Sequence, residues 1–305
     1  MEFFLFLPAI RLPFERLVAT ARNAEAAGFA GIVGMDHLVP PAAETQPMYE
    51  AMTANTWLAA HTKRLKVGSL VLCDALRHPA LLARQAVSID HASGGRFELG
   101  IGWGSYQPDF DGFGVAPFTP RERVARLRET LEVIRALWAG DTVNYNGEFH
   151  QLKNATQAPG PLSKIPIVVG GAGPKTLSIV RDHADWWNLD IRHKNKYSGA
   201  AFEDLRAQIG NARVSLQVLL AYVANENQRA QIAETAKRRF PFSQPQIGNG
   251  SELLEYFSGM QAQGVERVYL WFCDFAQPET LSSFGKSVID PLARVVASLR
   301  KDSAP

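Results

Sequence analysis

Residues 66–114 read KVGSLVLCDALRHPALLARQAVSIDHASGGRFELGIGWGSYQPDFDGFG. Two short apolar runs, Lys66 to Leu72 and Phe97 to Ile101, have strand character, and between them Ala80 to Ala92 carries an amphipathic helical pattern closed by Gly94. Two strands joined by a helical crossover lie parallel in one sheet. The second strand then breaks into Gly100, Gly102 and Gly104. In an α/β fold the loop at the carboxyl end of a buried strand is where a ligand sits, so this unit combines a piece of scaffold with a candidate cofactor loop.

The same alternation extends in both directions. Further strand-like runs lie at Phe3 to Leu7, Gly31 to Met35, Ile165 to Val169, Trp186 to Leu189, Val214 to Tyr222 and Arg267 to Phe272. Helical patterns fill the intervals: Phe14 to Ala27, Tyr49 to His61, Arg121 to Trp138, Lys175 to Ala184, Phe202 to Ile209, an extended region from Glu226 to Met260, and Glu279 to Leu299. Alternating strands and helices close either as an open doubly wound sheet or as an eightfold barrel. Eight strands favour the barrel. An open dinucleotide-binding sheet would also carry its glycine fingerprint after the first strand, where this chain has PAIRLPFERL and no glycine before Gly28. The expected fold is therefore a (β/α)8 TIM barrel occupying residues 1–305 as one domain. Two excursions decorate its rim. Residues 140–165 contain an Asn146-Gly147 hairpin signal, and residues 225–249, interrupted by Pro241 and Pro245, could fold over the site as a lid.

Composition narrows the partners. The 305 residues are 46% hydrophobic and 20% charged with a net charge of +2, and no dense Lys/Arg run marks a nucleic-acid or anionic-membrane surface. A small molecule is the expected ligand. The apolar start MEFFLFLPAI meets a proline at Pro8 and lacks a basic leader, which suits a first buried strand rather than a signal peptide or membrane span. Two cysteines, Cys73 and Cys273, provide neither a disulfide framework nor a thiolate metal cluster, and point to a reducing cytoplasm.

Three motifs carry chemistry. In GIGWG (Gly100 to Gly104) the glycines let backbone approach a flat or anionic ligand, with Trp103 as an aromatic wall; a plain tight turn would need the same residues. VVGGAGPKTL ends the fifth strand at Gly170, Gly171, Ala172 and Gly173 and opens a helix, the arrangement that presents amides and the helix dipole to a phosphate. In GMDHLVPP, Asp36 and His37 follow the second strand, a carboxylate and an imidazole placed for proton transfer or for capping the next loop. Trp186 and Trp187 must face opposite sides of their strand, one towards the core and the other towards the barrel mouth. The histidines have no metal-ligand spacing, so no metal is expected, and neither a nucleophile elbow nor a Walker loop is present.

Residues 77–114, RERVARLRETLEVIRALWAGDTVNYNGEFHQL (121–152) and IPIVVGGAGPKTLSIVRDHADWWNLD (165–190) together resemble the bacterial luciferase-like flavin oxidoreductases, most closely their branch using the 5-deazaflavin coenzyme F420. The resemblance runs over about residues 1–190 and thins beyond, leaving GVERVYLWF (264–272). It implies a barrel, often a homodimer, with the flavin at the carboxyl ends of the strands. It implies that Asp36 contacts the coenzyme and that His37 faces the substrate as acid or base. It also implies a non-proline cis peptide near Ser69 and Leu70 behind the flavin, backbone of Gly102 beside the ring, and a phosphate at Gly170, Gly171, Ala172 and Gly173. The chain departs from the family at Gly104 to Pro108, where many deazaflavin relatives carry an acidic GWNEEE-like run, so this loop is expected to lack its acid.

The cofactor decides the reaction. Coenzyme F420 implies hydride transfer with a small organic substrate. FMN in the same barrel implies a monooxygenase using O2 and a separate flavin reductase. A flavin-binding protein without turnover and a phosphate-binding sugar isomerase are the alternatives from other classes. The substrate pocket is expected from Val39 to Tyr49, Tyr106 to Phe118 and Asn225 to Asn249, whose Phe113, Phe118, Phe240 and Phe242 suggest an apolar or aromatic molecule.

Overall fold

The computed structural model describes residues 1–115, 118–190 and 199–294. Its elements in chain order begin with β1 (Glu2–Phe6), α1 (Phe14–Ala26), β2 (Gly31–Gly34), α2 (Ala51–His61), β3 (Lys66–Ser69), β4 (Leu72–Cys73), α3 (Pro79–Ser93) and β5 (Phe97–Gly102). Next come α4 (Gln107–Asp111), α5 (Pro120–Trp138), β6 (Val143–Asn146), β7 (Gln151–Ala155), β8 (Ile167–Gly170), α6 (Pro174–His183), β9 (Trp186–Leu189) and α7 (Gly199–Arg206). The chain continues through β10 (Arg213–Tyr222), α8 (Arg229–Arg239), β11 (Gln246–Gly248), α9 (Gly250–Ala262), β12 (Val265–Phe272) and α10 (Pro278–Phe284).

Strands β10, β12, β1, β2, β3, β5, β8 and β9 pair in that order, all parallel, and β9 pairs back onto β10 to close the ring. This is the (β/α)8 barrel expected from the alternation. All eight expected strands are present, with one difference of consequence: β3 stops at Ser69 and the ladder resumes as β4, which pairs β5. Parallel strands buried on both faces read as continuous apolar runs, which is why the sequence reveals them. Helix ends follow local chemistry. Thr119 and Glu122 form a capping box at α5, Asn249 and Glu252 another at α9, and Gly94 takes the left-handed conformation that closes α3.

The two excursions resolve into secondary structure. Strands β6 and β7 form the expected antiparallel hairpin, but the turn is wider than an Asn-Gly pair: Gly147 N–H donates to His150 C=O, and the Glu129 carboxylate accepts from the amides of Glu148, Phe149 and His150. Gly147 is needed for that approach, since a Cβ there would lie 2.3 Å from a Glu129 oxygen. Residues 225–249 do not continue one helix. After α8, Pro241 and Pro245 break the pattern, and β11 adds to the carboxyl end of β10. Phe240 is buried there against Leu219, Ala221, Ala236 and Cys273, which anchors the segment at the mouth, while Phe242 beside it stays exposed.

Side chains alternate between two apolar layers. Phe3, Leu5 and Leu7 join the outer core under the helices, whereas Phe4, Phe6, Val33 and Tyr269 fill the barrel interior. The amino-terminal end is plugged by Arg267, whose side chain has no exposed surface. Its guanidinium donates to Glu2 (2.8 Å), Glu98 (3.0 Å) and the Tyr269 hydroxyl (3.1 Å), and lies 4.0 Å from the Phe4 ring and 3.8 Å from Trp186. Lys66 adds contacts to Glu2 at 3.1 Å and Glu98 at 3.3 Å. Trp186 therefore points into the barrel, but at the end opposite the mouth, under Arg267 and Arg213. The sequence expectation of an aromatic partner at the mouth fails for this residue, because strand periodicity gives the face and not the depth.

Burial works to raise the Glu2 carboxyl, and the charges of Arg267 and Lys66 outweigh it, so its pKa is lowered. Arg267→Leu is expected to cost about 3–5 kcal/mol in urea denaturation, the penalty of leaving buried carboxylates unpaired. A group with a depressed folded pKa contributes stability above its unfolded value, 4.5 here, and loses it as pH falls through the folded value. The variant is accordingly expected to lose less stability than the parent between pH 5 and pH 3, measured as the shift in urea midpoint.

Candidate active site at the barrel mouth

Asp36 and His37 leave the carboxyl end of β2 together and take different partners. The Nδ1 of His37 lies 2.7 Å from Oδ2 of Asp109, a residue with 1% exposed surface, and Oδ1 of Asp109 accepts from the amides of Leu38 and Val39 at 2.8 Å each. With Asp109 held at Nδ1, Nε2 is the ring nitrogen left to exchange a proton. The Tyr106 ring stands edge-on to the imidazole at 5.2 Å.

An acid, Asp109, stands just beyond the run expected to lack one. The segment Gly104 to Pro108 does lack one, but Pro108 lies in the first turn of the short helix α4, which turns the next residue back beneath His37. Arg123 holds the turn in place. Its guanidinium lies 3.8 Å from the Phe110 ring and donates to Phe118 C=O, Gly104 C=O and the Gln107 side chain. Phe118 packs edge-on against Phe149 of the β6–β7 loop, so this predicted pocket residue is committed to the hairpin.

Asp36 is buried and bonded within the protein. Its carboxylate accepts from the Cys73 amide at 2.7 Å and from both ends of the Arg77 guanidinium, which also donates to Glu50 at 2.7 Å. Glu50 in turn caps α2 through the amides of Met52 and Thr53. Burial disfavours the Arg77 cation, yet the paired carboxylates raise its pKa. Asp36 thus ties β2 to β4 and α2 at the mouth. Burial and the neighbouring Asp36 charge push the Cys73 thiol up to about 11, which removes it as a nucleophile.

Between β3 and β4 the chain bulges, and the Leu70–Val71 peptide is cis, one bond beyond the expected Ser69–Leu70 pair. Asn55 Nδ2 donates to the buried Ser69 hydroxyl at 3.0 Å, anchoring the bulge to α2. The glycines of β5 make room for it. A Cβ on Gly100 would lie 1.9 Å from Ser69 C=O, and one on Gly102 would lie 2.8 Å from Val71. Their missing side chains are thus filled by the bulge.

Gly170, Gly171, Ala172 and Gly173 link β8 to α6. Gly171 has φ +127°, a conformation suited to glycine, with its amide on Asn188 C=O at 3.0 Å and its carbonyl accepting from the Trp187 indole at 2.8 Å. Gly173 is the N-cap of α6, and no side chain caps it among the described residues. Pro174 has no N–H, so the first-turn amides of Lys175 and Thr176, together with Gly173, form the open positive end of the helix.

The profile described as luciferase-like monooxygenase matches residues 1–267. The chain belongs to this family. Over 190 residues it is 31% identical to an uncharacterized protein of Mycobacterium tuberculosis, covering 57% of this chain and 65% of that one. Over 160 residues it is 34% identical to the F420-dependent glucose-6-phosphate dehydrogenase of Kineococcus radiotolerans, covering 52% of this chain and 47% of that enzyme. The match to the dehydrogenase therefore spans about half of its length. Among solved structures, an F420-dependent secondary alcohol dehydrogenase in complex with an F420–acetone adduct superposes with TM-score 0.78 at 16% identity, over 94% of this chain and 98% of that one. A monooxygenase from Streptomyces bottropensis superposes with TM-score 0.78 at 18% identity, over 95% and 99%. At these identities the likeness is one of fold.

Within this luciferase-like barrel the β5 glycines give a direct check on the bulge. Gly100→Ala is expected to destabilise the protein by about 1–3 kcal/mol, because backbone must yield to the new methyl. A urea midpoint equal to that of the parent would show that the bulge tolerates displacement.

Proposed function

We propose that this chain is a flavin-dependent oxidoreductase that transfers hydride between coenzyme F420 and a small organic substrate. The observation that carries the reading is the His37–Asp109 pair, an oriented acid/base at the carboxyl ends of the strands, on the same rim as the open amino terminus of α6. The F420-dependent relatives of this luciferase-like chain support the choice of cofactor.

The residues present fit such a cofactor. Gly170, Gly171, Ala172 and Gly173, with the uncapped start of α6, would hold its phosphate; the bulge at Ser69 and Leu70 and the backbone at Gly102 would border its ring system. Asp36, through Arg77 and the Cys73 amide, keeps the rim between them in place. When bound, the deazaflavin supplies a carbon centre that exchanges hydride.

The chain supplies the proton. In the reducing direction Nε2 of protonated His37 would give a proton to the substrate oxygen, the cofactor supplying the hydride to the adjoining carbon. In the oxidising direction neutral Nε2 takes that proton. In both cases the hydrogen bond to Asp109 prevents ring rotation, so Nε2 keeps its orientation.

Two measurements test the assignment. Fluorescence titration with F420 and, separately, with FMN is expected to give saturable binding of F420; FMN binding with none for F420 would assign monooxygenase chemistry instead. His37→Ala is expected to lower kcat about a hundredfold to ten-thousandfold while cofactor affinity stays within about threefold. Asp109→Asn should lower kcat as well. Full activity in both variants would remove the pair from the mechanism, and cofactor binding without turnover of any substrate would favour a binding protein.

A further inference from the structure

Trp271 has a buried indole N–H with no acceptor among the described residues. It follows Arg267 and Tyr269 at alternate positions of β12, so its ring faces the barrel interior, at the carboxyl end of the strand. There it meets Phe6 edge-on at 5.2 Å, Phe240 at 5.1 Å and Phe242 at 6.0 Å. Trp271, Met35 and Leu70 all pack on the interior cluster of Phe4, Phe6, Val33 and Tyr269. Met35 leads directly into Asp36 and His37, and Leu70 belongs to the bulge, so this aromatic cage is continuous with the proposed active site.

We propose that the cage is the substrate subsite and that it selects a neutral, ring-bearing molecule with one hydrogen-bond-accepting oxygen held by Trp271 Nε1. This deepens the F420 reading and rests on it for the identity of the bound cofactor. A buried donor without an acceptor is unfavourable and uncommon in native structures, and an acceptor from a ligand would satisfy it. Three phenylalanine rings packed on the Trp271 ring offer stacking and edge contacts to a flat molecule and no counter-charge to an anion, and the outward-facing N–H donor disfavours a cation beside it. The cation beside the cage is already committed: Arg239 donates to Cys273 C=O at 2.9 Å and lies over the Phe275 ring. Phe242, with 58% of its surface exposed, sits on the segment between Pro241 and Pro245 and forms the solvent side of the cage. Its movement would admit a ligand while Phe240 stays in the core. The cage therefore differs in kind from a site for a sugar phosphate, which would need free cations.

The test uses acetophenone and ethylbenzene, which share a ring and differ in the carbonyl oxygen, titrated calorimetrically against the F420-bound protein and against cofactor-free protein. Acetophenone is expected to bind about tenfold more tightly than ethylbenzene, the effect of one hydrogen bond. Trp271→Phe is expected to abolish that difference while F420 and ethylbenzene affinities stay near those of the parent. Equal affinities in the parent, unchanged discrimination in the variant, binding of neither probe, or binding of glucose 6-phosphate in their place would overturn the proposal. If discrimination persists while F420 fails to bind, the subsite stands and the cofactor assignment falls.

Discussion

Arg267 has no exposed surface, and a guanidinium so placed is tolerated only where its desolvation is offset by carboxylates and aromatic faces in fixed positions. Glu2 stands directly opposite it in the β1–β12 ladder, the contact at which the last strand of the barrel meets the first. Because side chains alternate along a strand, a slip of one residue in that ladder would turn Glu2 to the outer layer and leave the cation unpaired. Glu98 makes the same demand on β5, and the Trp186 ring places β9 under the same group. The plug thereby fixes register in strands far apart in sequence, and everything at the mouth inherits that register.

The mouth is organised by the same logic with fewer charges. Arg77 and Asp36 join β2 to β4 and α2, and Asp109 joins β5 to the loop after β2. Each tie uses a side chain at a strand end to fix a neighbour, so proton-transfer geometry rests on the ladder as much as on the loops. The bulge between β3 and β4 is held in the same way, by Asn55 on one side and by the space above Gly100 and Gly102 on the other.

Much of this was legible in the sequence, and the limits are physical. The strands were readable because both faces are buried, and the helix ends because Gly94 and the Thr119–Glu122 box leave local signals. Asp36, His37 and the Gly170 loop could be placed at the mouth because they directly follow strands. Asp109 could not, since its relation to His37 spans 72 positions and depends on how α4 turns the chain. The signal available was Pro108, a helix-starting residue just before an acid. Arg77 was hidden in the same way: its partners Asp36 and Glu50 come from two other segments. The period of two separates Trp186 from Trp187 but says neither which faces inward nor how deep, because it is blind to position along the barrel axis.

The short helix α4 makes chain length the constrained quantity of this loop. Successive helical residues are rotated by about 100°, so a deletion within Gln107 to Asp109 would swing the carboxylate away from the imidazole, whereas a change of residue type at Ser105 leaves its direction intact. Variation in this segment should therefore be abundant in letters and rare in number, and an acid that moves by whole turns, rather than by single steps, can still reach the same histidine.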